Sequence, residues 1–368
     1  MNFIKSFIQT LHPKIIIHHF QTTEKTENEI IKHEFLCFDA KNLTIDSIFK
    51  AKILSKKMGQ RVFPFLDKLA KNIKSKEQSA TILKAKAWVY KKAVWHPKLV
   101  EKCTHRVLKK MKTNGALKNI PLSYKEIHTD ASIAAILHDI GRLSEVDIMQ
   151  GKIVRGNNRI NKSHAAISYD ILQYAKIKPE ILLAIRYHEF ATMEEAKEDE
   201  IYKTLPEKRK IIAEFYIKLL QDMDKTGNLV ERSVSGAKKS AEYFSPEHIK
   251  DYDLTDEYLK IAMSGIYLPV QKGHLLDVMV HYITWGYDAH YKETGEILVS
   301  ILSNIFSQIY KEAWDEYRHS EDKNSIRLAN TLEKITKLED YAIFERTGIK
   351  INERNRRKIK EQIKRLRQ

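Results

Sequence analysis

Apolar residues recur at three- and four-residue intervals along most of the chain, and that period predicts helices. One is predicted to begin near Thr44 or Asp46 and run through IFKAKILSKKM, with Pro64 interrupting the apolar stretch that follows. Another covers about 77–94 and ends at a Trp95-His96-Pro97 break. Pro97 suits the first turn of the next helix, which carries Val100, Cys103, Val107, Leu108 and Met111, with His105 at the edge of its apolar face, and stops at Asn114-Gly115. NIPLSYKEIHT reads as a loop, and Thr129 or Asp130 as the cap of a helix leading into AAILHDIGR, which Gly141 ends. A polar, basic stretch, EVDIMQGKIVRGNNRINKS, follows. Ser163 then caps a short helix with His164 in its first turn, and Pro179 opens PEILLAIRYHEF, with His188 near its end. A long helix from about Pro206 to Leu229 would bury Ile212, Phe215, Tyr216, Leu219, Leu220 and Met223, with Asp224 beside them.

Beyond 240, GHLLDVMVHYITWGYDAHY and EILVSILSNIFSQIYKEAW are apolar on one side and should pack back on the core. PKIIIHHF and HEFLCFDA, within the first 42 residues, could pair as two short strands. The fold class expected is all-α. The expected segments are an N-terminal extension (1–95), a central domain (96–240), a C-terminal helical extension (241–345) and a basic tail (346–368).

Composition supports this. Twelve Gly and eight Pro in 368 residues are too few for an all-β sandwich with its many tight turns. Cys37 and Cys103 form no ligand or redox motif and fit a reducing compartment. The N-terminus has no continuous apolar core of a signal peptide, and no stretch reaches the roughly 18 apolar residues of a membrane span, so a cytoplasmic protein is expected. Net charge is +16, and residues 346–368 hold ten Lys/Arg against two Glu, half of that excess. Such a tail can bind nucleic acid or be a solvated helical face, and no aromatics interleave to stack on bases.

The candidate chemistry lies in His105, His138-Asp139, His164, His188 and Asp224, on five successive predicted helices. A bundle can aim such residues at one metal-filled point. Imidazole plus carboxylate without thiolate suits divalent Mn or Fe, and also Co, Ni or Zn. A lone His on an apolar face is usually a hydrogen-bonded core residue, so the argument rests on the whole set.

In that order the set resembles the HD-domain superfamily of metal-dependent phosphohydrolases, over about residues 97–230. The resemblance implies an all-α domain with His105, His138, Asp139 and Asp224 around one metal. Asp139 would bridge to a second metal held by His164 and His188, as in the binuclear branch. Asp222 rivals Asp224, but MDKTGN aligns with the family's ADRLHN-like pattern and selects Asp224. Tyr187 stands where cyclic-dinucleotide phosphodiesterases carry another His, and IGRLSEVD lacks the Glu-Asp pair of alarmone hydrolases, so neither substrate is assigned.

Arg142 is the expected partner of the reacting phosphate. Arg155, Arg159 and Lys162, in the basic stretch with Lys152, would grip further phosphates or form a solvated loop, and Glu189 or Arg186 would line the mouth. The reaction expected is hydrolysis of a phosphomonoester or phosphodiester in a nucleotide or related phosphate. Two alternatives stand beside it: a diiron oxygenase with the same ligands, and a non-catalytic module whose tail binds nucleic acid. A second cluster, His274, Asp277 and His281, shares one helix face, with His290 or Asp288 as a possible fourth member, and packing is the alternative.

Overall fold

The computed structural model describes residues 43–71, 75–147, 152–153, 162–189, 191–235, 281–282, 285, 289–298, 301 and 333. The expected N-terminal strand pair and the basic tail lie outside these. The described chain is helical apart from a two-residue antiparallel pair, β1 (Val146–Asp147) with β2 (Lys152–Ile153), and a single bridge from Thr44 to Lys176.

The first helix, α1 (Ile48–Lys71), buries Ala51, Leu54, Ser55, Met58, Val62 and Leu66, a three-to-four-residue period that faces the core. It runs across Pro64 without the expected interruption. One missing N–H removes a single ladder bond, and the packed face outweighs it.

No break occurs at Trp95-His96-Pro97 either. Helix α2 (Lys76–Tyr90) passes through a π turn (Lys91–Trp95) directly into α3 (His96–Asn114). A proline inside a helix deprives the carbonyl four residues earlier of its donor. Here that carbonyl belongs to Ala93, and the Ser55 hydroxyl of α1 donates to it at 2.5 Å. The widened π turn accommodates the ring, and a neighbouring helix supplies the missing hydrogen bond. Gly115 closes α3 with φ of 74°, a left-handed conformation that favours glycine.

Helix α4 (Tyr124–Leu137) begins earlier than expected, because Ser123 and Glu126 form a reciprocal capping box. Asp130 is not a cap. It is buried within α4 and accepts from Lys178 Nζ and the Tyr216 hydroxyl. A 3-10 turn (Ile140–Glu145) follows, then the strand pair, α5 (His164–Leu172, capped by Ser163) and α6 (Pro179–Arg186). Two short helices, α7 (Met193–Lys197) and α8 (Glu200–Thr204), lead into the long α9 (Glu207–Ser235). Helix α9 packs on α3, α4 and α6.

Gly141 does not act as the expected helix terminator, since α4 ends at Leu137. Its role is close approach: a Cβ there would lie 2.2 Å from the His164 carbonyl oxygen. Gly141 N donates to Ser168 Oγ at 2.8 Å, and that hydroxyl donates to the His138 carbonyl at 2.6 Å. The turn after His138-Asp139 is thereby clamped to α5.

Ser55→Ala tests the proline compensation. It strands the buried Ala93 carbonyl and should cost about 1–3 kcal/mol in urea unfolding.

Candidate metal centre

Five of the six expected ligands converge. His138 caps the C-terminus of α4, and Asp139 directly precedes the 3-10 turn. His164 opens α5, His188 follows α6, and Asp224 projects from α9. His138, Asp139, His164 and His188 are all buried, and the Asp224 side chain is 19% exposed.

His105 does not join them. It is exposed on α3, and its Nδ1 lies 2.6 Å from His128 Nε2 on α4. The histidine that α3 contributes is His96, at its first residue and fully buried. Helical phase explains the difference. At about 100° per residue, His96 falls in the stripe of Val100, Cys103, Val107 and Met111, whereas His105 lies well outside it. That signal was present in the sequence, but a predicted break at residue 96 hid it.

The inner atoms are close. His96 Nε2 is 2.9 Å from Asp224 Oδ1 and 3.7 Å from Asp139 Oδ2. His138 Nε2 is 3.3 Å from Asp224 Oδ1. His164 Nε2 lies 3.2 Å from both Asp139 Oδ1 and His188 Nε2. Among the described residues, three groups could hold a metal ion: His96/His138/Asp139, His138/His188/Asp224 and Asp139/His164/His188.

Outer contacts aim these rings. His138 Nδ1 meets the Ala135 carbonyl at 2.8 Å, and His188 Nδ1 meets the Ile185 carbonyl at 2.7 Å. A carbonyl can only accept, so each Nδ1 carries the proton and each Nε2 presents a lone pair inward. His164 Nδ1 sits 2.9 Å from Glu189 Oε2, and His96 Nδ1 3.3 Å from Glu231 Oε2. His138 Nε2 is buried and has no hydrogen-bond partner among the described residues. A buried imidazole lone pair aimed at two carboxylates fits a divalent cation, and so does the donor set.

Asp139 lies between two basic side chains. Lys92 Nζ is 2.9 Å from Oδ2, and Arg142 Nε donates to Oδ1 at 2.9 Å. Burial opposes its ionisation, but Lys92 and Arg142 overcome that and hold its carboxyl well below the usual range. Asp224 is treated alike, with burial opposed by the His138 and His96 imidazoles. Burial, with His138 and His164 nearby, drives His188 down to about 3, so it stays neutral. Burial and Arg142 push His164 down, but hydrogen bonds to Asp139 and Glu189 leave its pKa raised above 6.5.

Asp222 turns the other way. Its carboxylate accepts from the backbone N–H of His290 at 2.9 Å and of Tyr291 at 3.1 Å, capping the helical run at 292–298. Arg142 also reaches Glu145, and its side chain remains 23% exposed. Lys162 pairs with Asp170 at 2.6 Å, and Arg186 with Asp199 at 2.7 Å. Arg155 and Arg159 lie outside the described residues. So do His274, Asp277 and Asp288 of the second cluster. His281 accepts from Trp285 Nε1 at 3.1 Å, and His290 Nε2 meets Gln221 Oε1, so both are engaged in packing contacts. Sequence reasoning missed Lys92 and Glu231 as well as His96. A lysine or glutamate on a helix is ordinarily solvated, and nothing local marked these two.

The HD domain family profile matches residues 96–229 of the chain. No curated protein and no solved structure matches it.

Two predictions follow from the centre. Replacing His96 by Ala should weaken Mn2+ binding in isothermal titration by about tenfold or more, and His105→Ala should leave it unchanged. The second concerns pH. In the metal-free protein, cationic His164 paired with Asp139 and Glu189 contributes stability that is fully present below pH 6.5 and lost as pH rises through its raised pKa. Metal needs the neutral ring, so Mn2+ affinity should rise over that same interval as the metal-free melting temperature falls. His164→Gln should flatten both trends.

Proposed function

Given that the chain carries an HD domain over residues 96–229, we propose that it is a metal-dependent phosphohydrolase that cleaves a phosphomonoester or phosphodiester in a nucleotide or related phosphate. HD domains bind divalent metals and are mostly hydrolytic enzymes. The observation that carries the reading is the convergence of four inward Nε2 atoms on two ionised carboxylates, with Arg142 at the edge.

In this reading His96, His138, Asp139 and Asp224 hold one ion, and Asp139, His164 and His188 a second, with Mn or Fe as the expected metals. Ions held there supply Lewis acidity toward a phosphate oxygen and make water more acidic. The rest falls to the chain. Asp139 stays ionised because Lys92 and Arg142 neutralise it, so it remains a ligand across the physiological range.

Arg142 has five N–H donors, and its contacts with Asp139 and Glu145 use two of them. The remainder of its partly exposed guanidinium suits two oxygens of a phosphate. Glu189, beside His164 and 25% exposed, is placed to take or give a proton at the same edge. The basic stretch with Arg155 and Arg159 joins β2 to α5, and Lys152 begins β2. We assign that stretch to holding further phosphates of a polyphosphorylated substrate. Its neighbour Lys162 is already paired with Asp170 and contributes less.

The test is hydrolysis of a broad panel of nucleotides and phosphoesters by the Mn2+- and Fe2+-loaded protein. Activity should fall by about three orders of magnitude or more in Asp139→Asn and His138→Ala. Arg142→Gln should lose about 10²–10³-fold, as expected for loss of a charge-stabilising group. A fully metal-loaded protein that hydrolyses nothing on the panel, yet consumes oxygen in its iron form with an added substrate, would replace hydrolysis by oxygenase chemistry.

A further inference from the structure

The lysine on Asp139 does not belong to the matched domain. Lys92 lies four residues before it, in the π turn that joins α2 to α3. Its side chain is 6% exposed, and its Nζ stands 2.9 Å from Asp139 Oδ2 and 5.5 Å from the centroid of the Trp88 ring. A lysine is almost never buried unless it is paired, and Asp139 is the partner here. The turn that places it is also unusual. π turns are uncommon and occur frequently at functional sites. This one brings Lys92 and His96 to the same carboxylate oxygen, from 2.9 Å and 3.7 Å.

An ion held by His96 and Asp139 would draw on that same oxygen. The carboxylate carries one negative charge, and its other oxygen already takes Arg142. A fixed ammonium and a divalent cation would therefore divide the same negative charge at short range in a buried site, where their repulsion is poorly screened. In the metal-free protein the relation is reversed, because Lys92 stabilises a buried carboxylate oxygen that Arg142, on the other oxygen, does not reach.

We propose that Lys92 tunes the affinity of the metal centre: a resident cation, supplied by the segment preceding the HD domain, that neutralises Asp139 in the metal-free state and holds down the affinity for divalent metal. This rests on the metal-centre reading above. Lys92 and the ion are thermodynamic competitors for one carboxylate. A lysine that only positioned Asp139 would act in the opposite sense, and its removal would weaken binding.

The experiment is Mn2+ titration by calorimetry, with metal-free melting temperatures, on the full-length wild type, Lys92→Met and Lys92→Arg. Lys92→Met should bind Mn2+ about tenfold or more tightly while the metal-free form melts at a lower temperature, so that the metal-induced shift in melting temperature grows. Lys92→Arg keeps the charge and should keep an affinity near that of the wild type. If Lys92→Met does not fold, Lys92→Gln removes the charge, keeps a donor for Asp139, and should show the same tightening. Unchanged or weaker Mn2+ binding in the neutral variants overturns the proposal and leaves the metal centre intact. A wild type that binds no Mn2+, Fe2+, Co2+, Ni2+ or Zn2+ overturns both.

Discussion

A carboxylate with almost no exposure to water organises this protein. Asp139 can remain ionised only if the surrounding elements deliver positive charge to both of its oxygens, and they do so from opposite directions in sequence. Lys92 arrives from the π turn just before the matched residues, and Arg142 from the turn just after Asp139. Histidines from α3, α4 and α5 approach the same group. Each must be held at a set rotation, because an imidazole swung by a fraction of a turn offers carbon instead of nitrogen. The backbone carbonyls of Ala135 and Ile185 fix two of those rings, and Glu189 and Glu231 stand behind the other two.

The same demand explains irregularities that would otherwise be defects. The helical run through 76–114 has to place Lys92 and His96 at one carboxylate and also accept Pro97. The π turn adds room, the proline removes a donor, and Ser55 of α1 restores the lost hydrogen bond. Helix α1 therefore acts on the centre without touching a ligand. Gly141 and Ser168 do the equivalent on the other side. A side chain at 141 would push α5 away, and with it His164, whereas the bare glycine lets the Ser168 hydroxyl bind both Gly141 N–H and the His138 carbonyl.

Much of this was legible in the sequence because it is encoded locally. Period-3.6 apolar stripes gave the helices, Ser163 and Pro179 marked true starts, and the ordered His138-Asp139, His164, His188, Asp224 set came together as expected. The misplaced histidine has one physical cause. A π turn shifts helical phase by one residue and leaves no periodic trace, so Trp95-His96-Pro97 looked like a boundary, and the inward histidine was sought nine residues too late. Lys92 and Glu231 escaped for a related reason. Their burial exists only because residues distant in sequence neutralise them, and no window around either residue contains those partners.

Helix α9 shows how far environment decides what one residue type does. Asp222 and Asp224 are two residues apart, so they point to nearly opposite faces. Asp224 meets His96 and His138, and its carboxyl is held well below the usual range. Asp222 meets backbone N–H groups at 290 and 291, and these do not offset its burial, so its pKa is pushed up to about 6. Two imidazoles at Asp224 outweigh its burial, where the peptide N–H groups at Asp222 only soften it. The helix therefore serves two structures at once, closing the centre with one carboxylate and fastening the 289–298 segment with the other. A shift of α9 made to suit either face would be felt at the other, so the described 289–298 segment and the ligand geometry depend on the same helix.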